Sequence, residues 1–334
     1  MSILNKNTVA VVTATYRRPF ELRRFLECLR SCPDVKLVSI CDNFGCPETL
    51  NIINTENISS TYPILYKKAA YNGGCGAGLN LAIEQARGFL SDITHFWICD
   101  DDIYFEGNPL SPLLAAIEKS GAGSAAPAIT DHSGLVVAAP MLDSQNGRWV
   151  KLGTRPDEFI KHFPAKIPLP FLVCMGTCHL VTAAAIEKVG KIREDFWMLG
   201  EDLNFAHRIV AHGGGGVFVP WVYVEHLYGS PLDPSSAQRS EYFKHLALLQ
   251  NLTFMAYKTP YAKYARGRYF DCLRGKGLMP NYAKFLKKFH WKIFAIIDLL
   301  TVIFAAWCIG QPAGGNIAQR IRKKRMLQSA KVFS

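Results

Sequence analysis

The chain has 334 residues with a formal net charge of +11, and 49% of its residues are hydrophobic and 12% aromatic. This composition excludes an intrinsically disordered chain and a collagen-like fibre, and the length allows two domains or one domain with an extension. The ten cysteines include no Cys-x-x-Cys pair, so we predict neither a disulfide framework nor a structural zinc site, and without a signal peptide we expect a cytoplasmic protein.

The positive charge is concentrated at the end of the chain. Residues 257–334 contain 16 lysines and arginines and 2 acidic residues, so residues 1–256 are slightly acidic. Within this basic region, four lysines at 284–292 precede an apolar stretch at 293–309, and a basic cluster at 320–325 follows it. A helix over the apolar stretch would be about 25 Å long, at the lower limit for crossing a bilayer. We therefore predict a helix lying on an anionic membrane surface, with a buried helix beside a basic surface as the alternative.

The first third of the chain alternates between predicted strands and helices. Strands are predicted at 8–13, 35–41, 62–66 and 94–99. A helix with Leu22, Phe25, Leu26 and Leu29 on one face follows the first strand, and a glycine-rich loop, Asn72–Gly78, leads into a helix with Leu79, Ile83, Ala86 and Leu90 inward. This alternation predicts an open, mostly parallel sheet, which binds ligands at the carboxyl ends of its strands.

Three consecutive acids, Asp100, Asp101 and Asp102, end the fourth predicted strand. Three adjacent carboxylates repel one another, so we expect them at the open end of the strand, around a hard divalent cation. In an extended segment Asp100 and Asp102 point the same way, and Asp101 points elsewhere.

The second part of the chain is less regular. Strands are predicted at 168–173 and 216–224, and helices at 182–189, 202–212 and 235–257. Leu203, Ala206 and Ile209 with Val210 are the predicted buried face of the 202–212 helix. Glu201 and Asp202 stand at its start, where the helix dipole is expected to keep Asp202 ionised.

Together these segments resemble the family 2 glycosyltransferases of the GT-A fold. The similar segments, in order, are Val12–Pro19, Asp42-Asn43, Asn72–Gly78, Asp100–Asp102, Gly200–Asp202 and His226. The resemblance extends over residues 8 to about 230 and is nearest to the bacterial galactofuranosyl- and rhamnosyltransferase-like branch. It implies a Rossmann-like, mostly parallel sheet flanked by helices in residues 1–256, with a nucleotide-sugar half up to about residue 105 and an acceptor half at 106–256. Residues 257–334 would form a helical, basic C-terminal extension.

The resemblance implies a metal-dependent, inverting transfer of a sugar from a nucleoside-diphosphate donor. UDP-galactofuranose is the favoured donor because of His226, and a glycan or lipid-linked glycan is the expected acceptor in the synthesis of cell-surface polysaccharide such as O-antigen. The enzyme would bind peripherally to the inner face of the plasma membrane. A transferase using TDP-rhamnose, a sugar-phosphate nucleotidyltransferase and a non-catalytic nucleotide- or glycan-binding protein are the alternatives. Nucleic acid binding is not expected, because few aromatic residues interleave with the basic ones, and the oligomeric state is left open.

The resemblance also implies roles for single residues. Asp100, Asp102 and His226 would bind Mn²⁺ or Mg²⁺, and the imidazole favours Mn²⁺; a structural histidine is the alternative for His226. Asp202 would be the general base and Glu201 would orient the acceptor, although the two roles could be exchanged and a helix cap is the alternative for both. The predicted donor contacts are Thr13, Tyr16, Arg17, Asp42, Asn72, Gly74, Asp100 and Asp101. The acceptor side would be formed by Met175, Gly176, Thr177 and Trp197, and Arg208 is expected to be a structural ion-pair partner.

Overall fold

A computed structural model of the chain describes residues 7–142, 152–163, 166–194 and 200–227, together with eight positions between 297 and 321. The chain divides into two compact units, Met1–Tyr228 and Gly229–Ser334. The predicted helix at 235–257 and the predicted domain boundary after residue 256 lie outside the described residues.

The first four strands form a parallel sheet. They are β1 (Val9–Thr15), β2 (Val35–Asp42), β3 (Ile64–Lys68) and β4 (His95–Cys99), and they lie in the order β3-β2-β1-β4. The connecting helices are α1 (Pro19–Leu29), α2 (Pro47–Ser59) and α3 (Gly74–Phe89). All four strands were predicted from the sequence, whereas α2 was not.

The remaining elements extend this sheet on the β4 side. They are β5 (Ile103–Tyr104), α4 (Leu110–Ser120), β6 (Ser124–Thr130), β7 (Val136–Ala138), β8 (Met141–Leu142), α5 (Pro156–Phe159), β9 (Leu169–Val173), β10 (Cys178–Thr182), α6 (Ala183–Val189), α7 (Glu201–His212) and β11 (Gly216–His226). The order continues β4-β10-β6-β11-β9-β8, while β5 pairs with β11 and β7 with β6. Strand β10 is antiparallel to both neighbours, and β6 and β11 are parallel. The predicted Rossmann-like α/β class is confirmed, and the sheet becomes mixed beyond β4.

Helices cover both faces of the sheet because alternate strand residues point to opposite sides. Val9 and Val11 of β1 pack in one core with α1, α2 and α4. Ala10 and Val12 pack in the other core with α3, α6 and α7. This arrangement leaves the carboxyl ends of β1, β2 and β4 at one edge. Among the described residues, no helix has the length and hydropathy needed to cross a membrane.

Two predicted segments differ in detail. The predicted glycine-rich loop is already helical from Gly74 onward, because its small residues let α3 begin in close contact with the sheet. In α7 the buried face is broader than predicted and includes Asn204, Phe205 and His207, while Leu203 and Val210 are half-buried. The reason is that α7 packs against α3, α6 and β9 at once.

Candidate active site

The three adjacent acids lie at the carboxyl end of β4, where two later strands meet. The backbone N–H of Asp100 donates to the carbonyl oxygen of Thr177, just before β10, at 3.0 Å. After the acids, β5 pairs antiparallel with the end of β11, so that Ile103 lies opposite His226. The N–H of Leu227 then donates to the carbonyl oxygen of Asp102 at 3.0 Å. Sheet pairing thus brings His226 beside the acids, although it is more than a hundred residues away in sequence.

Asp100, Asp102 and His226 form a group that can hold a metal ion. Each offers one ligand atom, and these atoms lie within 4.8 Å of one another. The Nε2 of His226 lies 2.9 Å from Oδ1 of Asp102 and 3.5 Å from Oδ2 of Asp100. Two carboxylate oxygens and one imidazole nitrogen suit Mn²⁺ and accommodate Mg²⁺. The structure therefore brings together the three residues that the sequence predicted as metal ligands.

Asp101 is not part of this group and binds Arg18. The Nη1 of Arg18 lies 3.1 Å from Oδ1 of Asp101 and 2.8 Å from Oδ2 of Asp102. Both carboxylates are almost fully buried. Sequence reasoning assigned no role to Arg18. Its position could have indicated a role, because Arg18 directly precedes Pro19 and follows β1, the strand that neighbours β4.

Burial shifts the proton affinities of the acidic cluster. It raises the pKa of Asp100 to about 6, against the opposing effect of His226, and the pKa of Asp101 to about 7, against that of Arg18. Burial lowers the pKa of His226, but its hydrogen bond to Asp102 and the charge of Asp100 outweigh this, and the net shift is upward. Neighbouring carboxylates that are withdrawn from water are costly to ionise without a cation, which is the electrostatic setting of a metal site.

Asp202 lies in the first turn of α7 beside the same cluster. Gly200 has a φ of 96°, a left-handed conformation that starts the helix, and the N–H of Gly176 donates to Oδ2 of Asp202 at 3.0 Å. Burial raises the pKa of Asp202 although backbone N–H groups oppose it. The expected stabilisation of the ionised form by the helix start is thus outweighed by desolvation. The charge of Asp202 also raises the pKa of Asp100, so the two carboxylates are close neighbours.

Glu201 is turned towards α3. It is 5% exposed, and the thiol of Cys75 makes a side-chain hydrogen bond with its carboxylate. This contact joins the start of α3 to the start of α7. The predicted role of Glu201 in orienting the acceptor stays a prediction, and Cys75 is a neighbour that the sequence did not identify.

An exposed aromatic group lies at the ends of β1 and β2. The rings of Tyr16 and Phe44 meet edge to face at 5.6 Å, and the guanidinium of Arg17 lies 4.0 Å from the centre of the Phe44 ring. Arg17 has a φ of 58°, a conformation that non-glycine residues rarely adopt. Tyr16 and Arg17 were predicted donor contacts. Phe44 was missed, although its position just after Asp42-Asn43 at a strand end was a signal.

Other predicted donor residues have structural partners. The carboxylate of Asp42 accepts from the N–H groups of Phe44, Gly45 and Cys46 at 2.8–3.0 Å and from the Tyr66 hydroxyl at 3.3 Å, and the residue is fully buried. The structure thus shows Asp42 capping the turn after β2, and its predicted contact with base or ribose stays a prediction. Thr13 is likewise fully buried within β1, and its predicted contact with the donor stays a prediction.

The start of α3 contains two further predicted residues. Asn72 is exposed, and its Oδ1 accepts from the N–H of Gly74 at 3.0 Å. Gly74 is buried with a φ of 85°. Asn72 therefore orders the turn that begins the helix, at the same edge of the sheet as the acids.

The predicted acceptor residues are only partly described. Gly176 contacts Asp202, and Thr177 is 4% exposed next to Asp100, while Met175 is half-buried. Trp197 lies outside the described residues. Arg208 binds the carbonyl oxygens of Val189 and Lys191 and the side chain of Asn204. These contacts are structural, and the expected ion pair of Arg208 stays a prediction.

The sequence matches the model of a family described as Glycosyl transferase family 2 over residues 10–190. Comparison with curated proteins finds no match. Among solved structures, the fold is similar to a mannosyltransferase, PcManGT from Pyrobaculum calidifontis, in complex with GDP-Man and Mn²⁺. The TM-score is 0.58 at 13% identity, covering 94% of this chain and 86% of that chain.

Two further structures show the same fold. S. aureus TarS 1–349 in complex with UDP gives a TM-score of 0.57 at 13% identity, covering 96% of this chain and 91% of that chain. GalNAc-T7 with UDP, GalNAc and Mn²⁺ gives 0.52 at 17% identity, covering 71% of this chain. The chain spans about half the length of GalNAc-T7 (51%) and 43% of the longer S. aureus TarS structure.

Proposed function

The chain belongs to glycosyl transferase family 2, and from this membership we propose that it transfers a sugar from a nucleoside-diphosphate donor to an acceptor hydroxyl with the help of a divalent metal ion. The observation that carries the proposal is the convergence of Asp100, Asp102 and His226 at the carboxyl end of β4, with Asp202 beside them. Metal ligands and a candidate base thus share one edge of the sheet.

The chemistry follows from these positions. A bound Mn²⁺ or Mg²⁺ would neutralise the negative charge that develops on the departing diphosphate. Asp202, held at Oδ2 by the N–H of Gly176, accepts the proton of the acceptor hydroxyl at Oδ1 as that oxygen attacks the anomeric carbon. Its raised pKa makes it a stronger proton acceptor than an exposed aspartate. Attack from the side opposite the diphosphate inverts the configuration of the sugar.

The donor's nucleotide would bind at the exposed edge formed by Tyr16, Arg17 and Phe44. An aromatic ring can stack on a nucleobase, and a guanidinium can pair with a diphosphate. We propose UDP as the nucleotide, with galactofuranose as the sugar; the alternative donor is TDP-rhamnose. The UDP complexes of TarS and GalNAc-T7 support UDP, and the GDP-Man complex of PcManGT makes GDP a necessary comparison.

A thermal-shift titration tests the donor site without needing an acceptor. UDP, TDP, GDP and CDP are each titrated with Mn²⁺ and with a chelator. A ligand at 100 times its dissociation constant stabilises the fold by about 2.7 kcal/mol, so a preferred nucleotide gives a clear shift. We expect the largest Mn²⁺-dependent shift with UDP, and expect Asp102→Asn to remove its metal-dependent part. The absence of a metal-dependent shift with all four nucleotides would contradict the proposal and favour a non-catalytic protein.

The base is tested separately. Asp202→Asn removes the proton acceptor and keeps the side-chain shape, so we expect turnover to fall by about 10²-fold or more. UDP and Mn²⁺ affinity should stay close to the wild-type values. Near-normal turnover in this variant would show that another residue, Glu201 first, is the base.

We also propose that the acceptor is a lipid-linked glycan at an anionic membrane surface, bound with the help of the C-terminal unit. Ile297, Leu300, Phe304 and Cys308 are helical and exposed, and Thr301 Oγ1 donates to the Ile297 carbonyl oxygen at 2.8 Å, as in a helix. Spacings of three, four and seven residues place these side chains on one helical face. The basic residues that flank this stretch in the sequence would attract anionic lipid.

Vesicle sedimentation tests the membrane proposal. We expect the full chain to bind vesicles containing phosphatidylglycerol, and the double variant Leu300→Ser/Phe304→Ser to bind them much more weakly. Ile58→Ser, which changes an exposed apolar residue of α2 in the other unit, is the matched control and should bind normally. Equal vesicle binding by all three proteins would contradict the proposal.

A further inference from the structure

We propose that Arg18 is a positioning residue for the metal site, which sets the orientation of Asp102 and keeps Asp101 out of the ligand group. The inference rests on the proposed metal-dependent function. It concerns how three adjacent carboxylates become a site with two carboxylate ligands.

The backbone around Arg18 fixes where its side chain begins. Arg17 adopts a left-handed conformation with a φ of 58°, which turns the chain sharply after β1. Arg18 then caps α1: Pro19 is the first helical residue, and the N–H of Leu22 donates to the Arg18 carbonyl oxygen at 3.1 Å. The two neighbouring arginines therefore diverge. Arg17 covers the Phe44 ring, whereas Arg18 reaches the acids at the end of β4.

The contacts of Asp102 divide its two oxygens between two partners. Oδ2 lies 2.8 Å from Nη1 of Arg18, and Oδ1 lies 2.9 Å from Nε2 of His226. A carboxylate held at one oxygen cannot rotate freely, so the Arg18 contact determines that the other oxygen faces the imidazole. Asp102 is only 3% exposed, so in the folded protein water does not compete with the guanidinium for this oxygen.

The same nitrogen of Arg18 also holds Asp101. Its distance to Oδ1 of Asp101 is 3.1 Å, and Asp101 is 4% exposed. This contact occupies Oδ1 of Asp101, and Asp101 lies outside the group formed by Asp100, Asp102 and His226. In metal sites, partners that orient the ligands commonly contribute 10- to 100-fold to affinity.

A positioning role and a simple charge effect predict opposite signs. Arg18 is a cation next to a site for a divalent cation, so by charge alone its removal should tighten Mn²⁺ binding. If Arg18 instead sets the orientation of Asp102, its removal should weaken Mn²⁺ binding. The affinity for Mn²⁺ without nucleotide therefore separates the positioning role from the charge effect. It also separates the positioning role from a role confined to the donor's diphosphate, because neither of these two roles would weaken Mn²⁺ binding.

The experiment is a titration of the full chain with Mn²⁺, with free Mn²⁺ measured by electron paramagnetic resonance. We expect Arg18→Met to raise the dissociation constant for Mn²⁺ by about 10-fold or more, and Arg18→Lys, which keeps a donor cation, to lie between Arg18→Met and the wild type. Arg30→Met is the matched control. It removes an arginine at the other end of α1 that pairs with Glu56 at 2.6 Å, and it should bind Mn²⁺ normally.

Two results would overturn the inference. Equal or tighter Mn²⁺ binding by Arg18→Met would show that Arg18 does not position the metal site, and tighter binding would show that it acts through its charge. Equal binding by Arg18→Lys and Arg18→Met, with both weakened, would show that general loss of packing is responsible rather than the contact with Asp102. Circular dichroism and the melting temperature show whether each variant is folded. If Arg18→Met is unfolded, the Mn²⁺ affinity of Arg18→Lys is compared with that of the wild type instead, and weaker binding by Arg18→Lys supports the inference. Absence of Mn²⁺ binding in the wild type would contradict the proposed function itself.

Discussion

At the scale of single residues, the position of Asp202 depends on the absence of a side chain at Gly176. The backbone N–H of Gly176 donates to the Asp202 carboxylate. A Cβ atom on Gly176 would lie 2.6 Å from the Cβ of Asp202, well inside van der Waals contact. Gly176 therefore supplies both a hydrogen bond and the space in which the candidate base sits.

We predict that Gly176→Ala lowers turnover while leaving UDP binding nearly unchanged. The added methyl group must push Asp202 away from its position, and displacements of about 1 Å in a catalytic group can cost 10²-fold in rate. Steady-state kinetics and nucleotide titration of the same preparation measure the two effects. Wild-type turnover in Gly176→Ala would show that α7 tolerates the shift and that Asp202 is less precisely placed than the contact indicates.

At the scale of elements, the start of α3 packs unusually close to the sheet. A Cβ atom on Gly78 would lie 2.8 Å from Cβ of Ala14 and 2.9 Å from Nδ2 of Asn43. Gly88, near the other end of the same helix, has no atom within 4 Å of its corresponding position. The two glycines thus offer a matched comparison within one helix.

We predict opposite effects of alanine at these two positions. Gly78→Ala should destabilise the protein by about 1–3 kcal/mol, because the methyl group overpacks the contact with β1. Gly88→Ala should stabilise it by up to about 1 kcal/mol, because alanine favours an exposed helix over glycine. Urea unfolding measures these changes as differences between the unfolding midpoints of the two variants and the wild type. A destabilising Gly88→Ala, or a neutral Gly78→Ala, would contradict the packing seen for α3.

At the scale of the whole molecule, buried titratable groups make stability depend on pH in opposite directions. Burial lowers the pKa of His179 to about 3 and that of His207 to about 4. Unfolding releases these histidines to their usual pKa near 6.5, so the unfolded state binds more protons below that pH and stability falls on acidification. Asp100 and Asp101 have raised pKa values of about 6 and 7, so they favour the folded state on acidification. The total curve is therefore a sum of opposing contributions.

The contribution of one histidine to the pH dependence can be isolated by comparing the free energy of unfolding of a variant with that of the wild type. His179 is 2% exposed and packs against Phe171 and Phe205. We predict that His179→Leu, relative to the wild type, gains stability progressively between pH 6.5 and about pH 3. The exposed His132 provides the control: His132→Gln should show no comparable gain. A constant difference across this range would mean that His179 titrates normally in the folded protein.

The sequence was sufficient to predict elements with a regular apolar repeat and polar residues that directly follow a strand. The β-branched strands, the apolar face of α1 and the acids after β4 follow from local pattern, and the three metal-ligand candidates followed from family resemblance. Helix α2 escaped prediction because its buried side includes Thr49 and Glu56 beside Ile52 and Ile53, which obscures the apolar repeat. The burial of Asp42 and the contacts of Arg18 depend on which backbone and side-chain groups converge on them in space. The order of strands in the sheet determines which groups converge, and no local sequence pattern predicts that order.

The pairing of β5 with the end of β11 has a consequence for the order of folding. Asp102 and His226 become neighbours only through this pairing, which closes a loop of about 120 residues, a contact that is slow to form and entropically costly. During synthesis β11 leaves the ribosome last among the strands of the first unit, so the metal site cannot exist on a nascent chain that lacks it. Because an ion that binds only the assembled site stabilises the folded state, bound Mn²⁺ would stabilise the contact between the end of β4 and the end of β11 late in folding. Affinity for the ion would thus report that this part of the chain has finished folding.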